Sequence, residues 1–205
     1  MTPRLLLAPL PTEEEAWRSA TPEERAAAAA FSVGRRREWL GWRALVRARL
    51  GSDLRFGYDA CGAPCLVGRP ERISVAHTQD RLAVLLADAP CAVDIERADR
   101  DLKAVGRRIL TPAERLLSTD PLYPVVACCA KEALYKYAHG RLQHIGQGRI
   151  EAVGGAIRPP FLVEGATATA APAGSIGSLT GRIGTAPPLR LTVCRFDDHI
   201  VVCLL

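Results

Sequence analysis

Through the middle of the chain, the spacing of apolar positions marks out strands separated by helices. Ile73 to Thr78, Arg81 to Ala87 and Cys91 to Glu96 are short runs of Val, Ile, Leu and Ala bounded by turn formers. They predict three strands, with Gln79-Asp80 turning the first hairpin. Leu189 to Phe196 and His199 to Leu205, joined at Asp197-Asp198, predict a closing hairpin.

Helical signals flank these runs. Thr21-Pro22-Glu23-Glu24 combines an N-cap, a proline at the first helical position and a capping-box acid, and opens a helix through the alanines of 26–30. A second helix follows Ser32 to Gly34, carries the arginines from Arg35 to Arg49 and stops at Gly51. A helix around 100–108 leads to another proline-opened box, Thr111-Pro112-Ala113-Glu114. The longest apolar helix then runs from Pro121 or Leu122 to Ala138 and closes at Gly140. Residues 57–70 are turn-rich, while Gly154-Gly155, Pro159-Pro160 and the Ala/Thr/Gly/Ser stretch of 165–181 predict a long loop or a weakly specified hairpin. This order predicts an α+β fold, with an N-terminal part of 1–110 and a C-terminal part of 111–205.

Composition narrows the class. A chain of 205 residues with 48% hydrophobic content is long enough to bury a full core, which excludes disordered and fibrous classes. The net charge of +5 is unevenly placed: Arg35, Arg36, Arg37, Arg43, Arg47 and Arg49 crowd one predicted helix with a single acid, Glu38, and favour an anionic partner. The seven cysteines form no Cys-x-x-Cys pair, which argues for a reducing, cytoplasmic setting. The apolar start, Leu5 to Leu10, is shorter than a signal sequence, and no stretch approaches the roughly 18 apolar residues of a spanning helix. A soluble protein without membrane partners is expected.

Two stretches carry the candidate chemistry. In Ala92-Val93-Asp94-Ile95-Glu96, strand alternation puts Asp94 and Glu96 on one face and Val93 and Ile95 on the other. In Lys131-Glu132-Ala133-Leu134-Tyr135-Lys136, helical spacing puts Glu132 and Lys136 on a shared face. Taken singly, these are a wet strand face and an ordinary helix ion pair. Taken together, acids and lysines of this kind describe a hard-cation site that receives a phosphorylated ligand. His77, following Ile73-Ser74-Val75-Ala76, taken singly is a core or turn histidine; as a site residue it would donate a hydrogen bond to a phosphate.

In order, Ile73-Ser74-Val75-Ala76-His77-Thr78, Ala92-Val93-Asp94-Ile95-Glu96 and Cys128-Cys129-Ala130-Lys131-Glu132-Ala133-Leu134-Tyr135-Lys136 resemble the larger, pseudo-dimeric class of 4′-phosphopantetheinyl transferases, the surfactin-synthetase-activating type. That family's pattern is a Ser-His strand end, a Gly-x-Asp-x-Glu strand and a Trp-x-x-Lys-Glu-x-x-x-Lys helix. The likeness covers roughly residues 30–145, including the arginine-rich helix and the Gly62-Ala63-Pro64 turn. Ala92, Cys128, Ala76 and Ala63 stand where the pattern has glycine, tryptophan, serine and lysine.

The resemblance implies two similar α/β halves packed as an intramolecular pseudo-dimer in a monomeric chain. It implies coenzyme A as co-substrate, magnesium or manganese as cofactor, and transfer of phosphopantetheine to a serine of an acidic apo carrier protein, releasing adenosine 3′,5′-bisphosphate. By position, Asp94, Glu96 and Glu132 would hold the metal, and Glu132, Lys131 and Lys136 would form the catalytic set. His77 and Lys136 would contact coenzyme A phosphates, and Arg43, Arg36 and Arg37 its 3′-phosphate. Two other classes fit parts of the pattern. A magnesium-dependent nuclease also clusters acids and lysine, and a non-catalytic module would use the basic helix to hold coenzyme A, an acidic protein or RNA.

Overall fold

Residues 2–156, 160–164 and 175–205 are described by a computed structural model of the chain. They form a mixed α and β structure with six helices and three sheets. Of the 165–181 stretch predicted as a loop or hairpin, residues 165–174 and also Pro159 lie outside the described residues. From Ser175 onward the chain is strand.

The N-terminal elements are β1 (Arg4–Pro9), α1 (Glu13–Arg18), α2 (Pro22–Ala28) and α3 (Val33–Leu50). They are followed by the short pair β2 (Phe56–Tyr58) and β3 (Pro64–Leu66), and then by β4 (Arg72–His77), β5 (Arg81–Ala87) and β6 (Ala92–Arg97). Next come α4 (Lys103–Ile109), α5 (Pro112–Arg115), α6 (Tyr123–Ala138) and a 3₁₀ turn at Ile145–Gln147. The chain closes with β7 (Gly148–Gly154), β8 (Leu162–Glu164), β9 (Ser175–Ile183), β10 (Leu189–Phe196) and β11 (His199–Leu204). No helix among the described residues is long and apolar enough to cross a membrane.

One four-stranded sheet has the order β4-β5-β1-β8 and a five-stranded sheet has the order β6-β11-β10-β9-β7. Strand alternation sorts the side chains into three layers of core. Leu82, Val84 and Leu86 of β5 pack with Trp42 and Val46 of α3 on the outer face of the first sheet. Ala83 and Leu85 point the other way, where Val93, Ile95, Val201 and Cys203 of the second sheet meet them. Ile200, Val202 and Leu204 then face α6 on the far side. The strands β5 and β11, covered on both faces, therefore read as unbroken apolar runs. At Gly41 of α3 an added Cβ would stand 2.8 Å from Pro11 and 2.9 Å from Leu82, so the missing side chain lets the helix lie close to β5.

Among the described residues, the strand that carries Asp94 and Glu96 is the edge of its sheet, paired with β11 alone. An edge strand leaves backbone groups unpaired. Here the Val93 N–H donates to the Ser74 hydroxyl of β4 at 3.0 Å, and the Val93 carbonyl accepts from the Lys136 ammonium at 2.9 Å. The edge is thus closed by one contact to the other sheet and one to α6.

Helix α6 is fixed by a buried ion pair. Lys131 is fully buried, and its ammonium donates to Glu114 Oε1 at 2.6 Å, the Gly148 carbonyl at 2.5 Å and the Gly146 carbonyl at 3.3 Å. All three ammonium donors are used. Glu114 also accepts from the backbone N–H of Ile150 at 2.8 Å and, through its capping box, from that of Thr111 at 2.7 Å. Burial alone would raise the Glu114 pKa, but the Lys131 ammonium and these two N–H groups outweigh it and hold the carboxyl below its ordinary value of 4.5. The stabilisation is present above that ordinary value and is lost as pH falls through the lowered one. Removing one partner strands the other charge, so Lys131→Met is expected to cost about 3–5 kcal/mol in chemical denaturation at neutral pH. A loss below about 1 kcal/mol would contradict the anchoring role.

Candidate functional site

With β6 at the sheet edge and α6 lying across it, the acids of both elements open into one cavity of about 120 Å³. Asp94 and Glu96 of β6 and Glu132, Cys128 and Cys129 of α6 line it. Leu102, Val105 and Ile109 from α4 and its N-terminal flank, together with Ile145 of the 3₁₀ turn, form an apolar wall, and Arg100 closes the rim. Asp94 and Glu96 are thus not a wet strand face: their side chains are 17% and 14% exposed.

The charges inside are partly neutralised. Lys136 Nζ lies 2.9 Å from Asp94 Oδ1, and Arg100 is ion-paired with Glu96 in a short contact. The Glu132 carboxylate, by contrast, forms no hydrogen bond or ion pair among the described residues. Burial, and then the charge of Asp94, push its pKa above the ordinary value, with Lys136 opposing. The fold favours a protonated Glu132, so its contribution to stability is fullest below pH 4.5 and declines as pH rises through the raised value. Burial also pushes the Cys128 thiol up to about 11 and Cys129 well up, so neither is a thiolate at neutral pH. All seven cysteines are free thiols.

This donor set fits a hard cation. Three carboxylates face one cavity, and a positive ion there would relieve the like-charge burden that Asp94 places on Glu132. The three carboxylates are not gathered into a preformed cage, since one oxygen from each does not fall within a common 4.8 Å set, so a shared ion would have to draw them together. The donor set suits magnesium or manganese, which take one or two carboxylates and complete their shells with water and phosphate oxygens.

The structure brings Asp94, Glu96, Glu132 and Lys136 together but places the other sequence candidates elsewhere. Lys131 is not part of the cavity lining: its ammonium is buried against Glu114. Arg43 is 2% exposed, with its guanidinium 3.4 Å from the centroid of the Trp39 ring and 4.2 Å from that of Trp42. It donates to the Trp39 carbonyl and the Tyr58 hydroxyl and pairs with Glu24, so it is a packing residue and is not presented to a nucleotide. Arg36 is held by Glu13 and the Phe31 carbonyl, and Arg37 donates to the Pro11 carbonyl at 2.7 Å. His77 is exposed at the end of β4, 3.4 Å from Glu38 of α3. Ala92, where the motif has glycine, is wholly buried in the core and does not narrow the cavity.

Two contributors were not found from sequence. Arg100 follows Glu96 by four positions across a turn, where no periodicity predicts a pairing. Glu114 was legible as a capping-box acid through Glu114 Oε2, but its bonds to Lys131 and Ile150 are long-range. In comparison with known proteins, the chain matches no family model and no curated protein.

Two outcomes follow. Glu132→Gln is expected to raise the denaturation midpoint at pH 7 without metal, and to abolish a midpoint increase that magnesium gives the unaltered protein. Equal magnesium stabilisation of both proteins would remove Glu132 from the cation site. Arg43→Ala is expected to cost about 2 kcal/mol or more through lost cation–π stacking and packing; an unchanged midpoint would contradict its placement as a packing residue.

Proposed function

We propose that this chain transfers the 4′-phosphopantetheine group of coenzyme A to a serine of an apo carrier protein, with magnesium or manganese as cofactor. The observation that carries this reading is the meeting of Asp94, Glu96 and Glu132 at one cavity, with Lys136 and Arg100 already bound to two of them. The motif resemblance selects phosphopantetheinyl transfer among the phosphate chemistries such a cavity allows.

In the proposed reaction the serine oxygen attacks the β-phosphorus of coenzyme A, and the bond from that phosphorus to the bridging oxygen breaks. Adenosine 3′,5′-bisphosphate leaves with the bond electrons. A divalent cation bound by the three carboxylates would neutralise charge on the pyrophosphate. Glu132, directly or through a water, would take the serine proton. Lys136 and Arg100 are positioned to turn from Asp94 and Glu96 to the phosphate oxygens. Lys131 acts by holding α6 in place.

The same reading extends to the architecture, as two similar halves each pairing a sheet with one long helix: α3 over the first sheet and α6 over the second. It makes the protein a cytoplasmic monomer whose partners are coenzyme A and an acidic carrier, with no nucleic acid; the free thiols support a reducing setting.

The test is to incubate the protein with coenzyme A, magnesium and apo carrier proteins, and to weigh the products. A carrier heavier by one phosphopantetheine group is expected. Asp94→Ala and Glu132→Ala should lower the rate by about 100-fold or more while remaining folded. Normal turnover in either variant would reject the metal assignment. Nucleotides released from DNA would favour a nuclease, and coenzyme A bound without transfer would favour a binding module.

A further inference from the structure

Asp59 and Cys61, in the turn between β2 and β3, meet His139 at the C-terminal end of α6, and one donor atom from each lies within 4.8 Å of the other two. We propose that these three side chains form a second cation site, selective for zinc(II), which clamps the β2–β3 turn onto the end of the helix that carries Glu132 and Lys136.

The donors decide the metal. Thiolate and imidazole are soft and borderline ligands that favour zinc over magnesium, and zinc commonly takes three protein ligands and leaves one position to water. His139 Nε2 stands 3.1 Å from Asp59 Oδ2. Two ligands held about 2.0–2.1 Å from a tetrahedral ion stand about 3.3 Å apart, so this pair needs little movement to bind.

The surroundings orient the donors before any ion arrives. Asp59 Oδ1 accepts from the backbone N–H groups of Cys61 at 2.8 Å and Ala63 at 3.0 Å, which leaves Oδ2 toward His139. His139 adopts a left-handed conformation with φ of 50° at the helix end, unusual for a residue with a side chain. Gly140 follows with φ of +80°, and a Cβ there would stand 2.9 Å from Cys61 Sγ. A larger residue would evict the thiol. Cys61 Sγ now lies 3.6 Å from the His139 carbonyl. On binding, the thiol gives its proton to water and the sulfur bonds the metal.

Cobalt(II) is the probe, because its bond to a thiolate gives a charge-transfer band absent with oxygen and nitrogen ligands alone. Titrating the full chain, kept reduced with a phosphine, should give the band at one equivalent, with zinc displacing cobalt and magnesium failing to do so. Cys61→Ser should remove the band, and His139→Ala should weaken binding by about 10-fold or more, a loss that outer-shell changes alone already cause. Cys65→Ser should change nothing. All three variants lie at exposed or half-buried positions, and their circular dichroism should match the parent protein. No band at a tenfold excess of cobalt would overturn the site, as would a band that survives Cys61→Ser.

Discussion

An ammonium group with no access to water governs the rest of the site. Lys131 is accommodated in the core because Glu114 and two backbone carbonyls occupy all its donors. That requirement fixes the rotation of α6 about its axis. Successive helical positions differ by about 100°, so a lysine aimed at Glu114 turns the next residue, Glu132, toward β6. Lys136, four positions later, falls on the same side and reaches Asp94 and the Val93 carbonyl. The site geometry therefore depends on an ion pair that belongs to the core.

The cavity holds its charges in an arrangement open to exchange. Asp94 and Glu96 are matched by Lys136 and Arg100, while Glu132 carries the cost of burial beside Asp94 without a bonded partner. A divalent cation brought in by a pyrophosphate would replace those side-chain cations at the carboxylates and free them for the phosphate oxygens. This links the raised pKa of one acid to the function proposed for the whole cluster.

Much of the fold was legible in the sequence because local chemistry and tertiary packing agree there. Short apolar runs bounded by turn residues locate β4, β5, β6, β10 and β11, and capping boxes locate α2 and α5. The first strand escapes a sequence reading because no hairpin turn marks Leu5 to Leu7: its partners, β5 and β8, lie far along the chain. Helix α1 was missed although Thr12 and Glu15 form a capping box that was there to be read. Within the site, strand and helix periods placed Asp94, Glu96, Glu132 and Lys136 correctly on faces. They did not distinguish Lys131, which points to the core, from a residue of the cavity. The arginine run misled for a related reason: Trp39 and Trp42 flank Arg43 in sequence, and only the folded helix shows them stacked on it.

The proposed function requires these three carboxylates to share a divalent ion with a bound pyrophosphate. Anomalous scattering from manganese, in crystals grown with coenzyme A, tests it most directly. A peak is predicted at ligand distance from Asp94 and Glu132 and from the pyrophosphate oxygens, with Lys136 and Arg100 moved onto phosphate. Coenzyme A bound with no peak at this cavity, and with both ion pairs intact, would contradict the account.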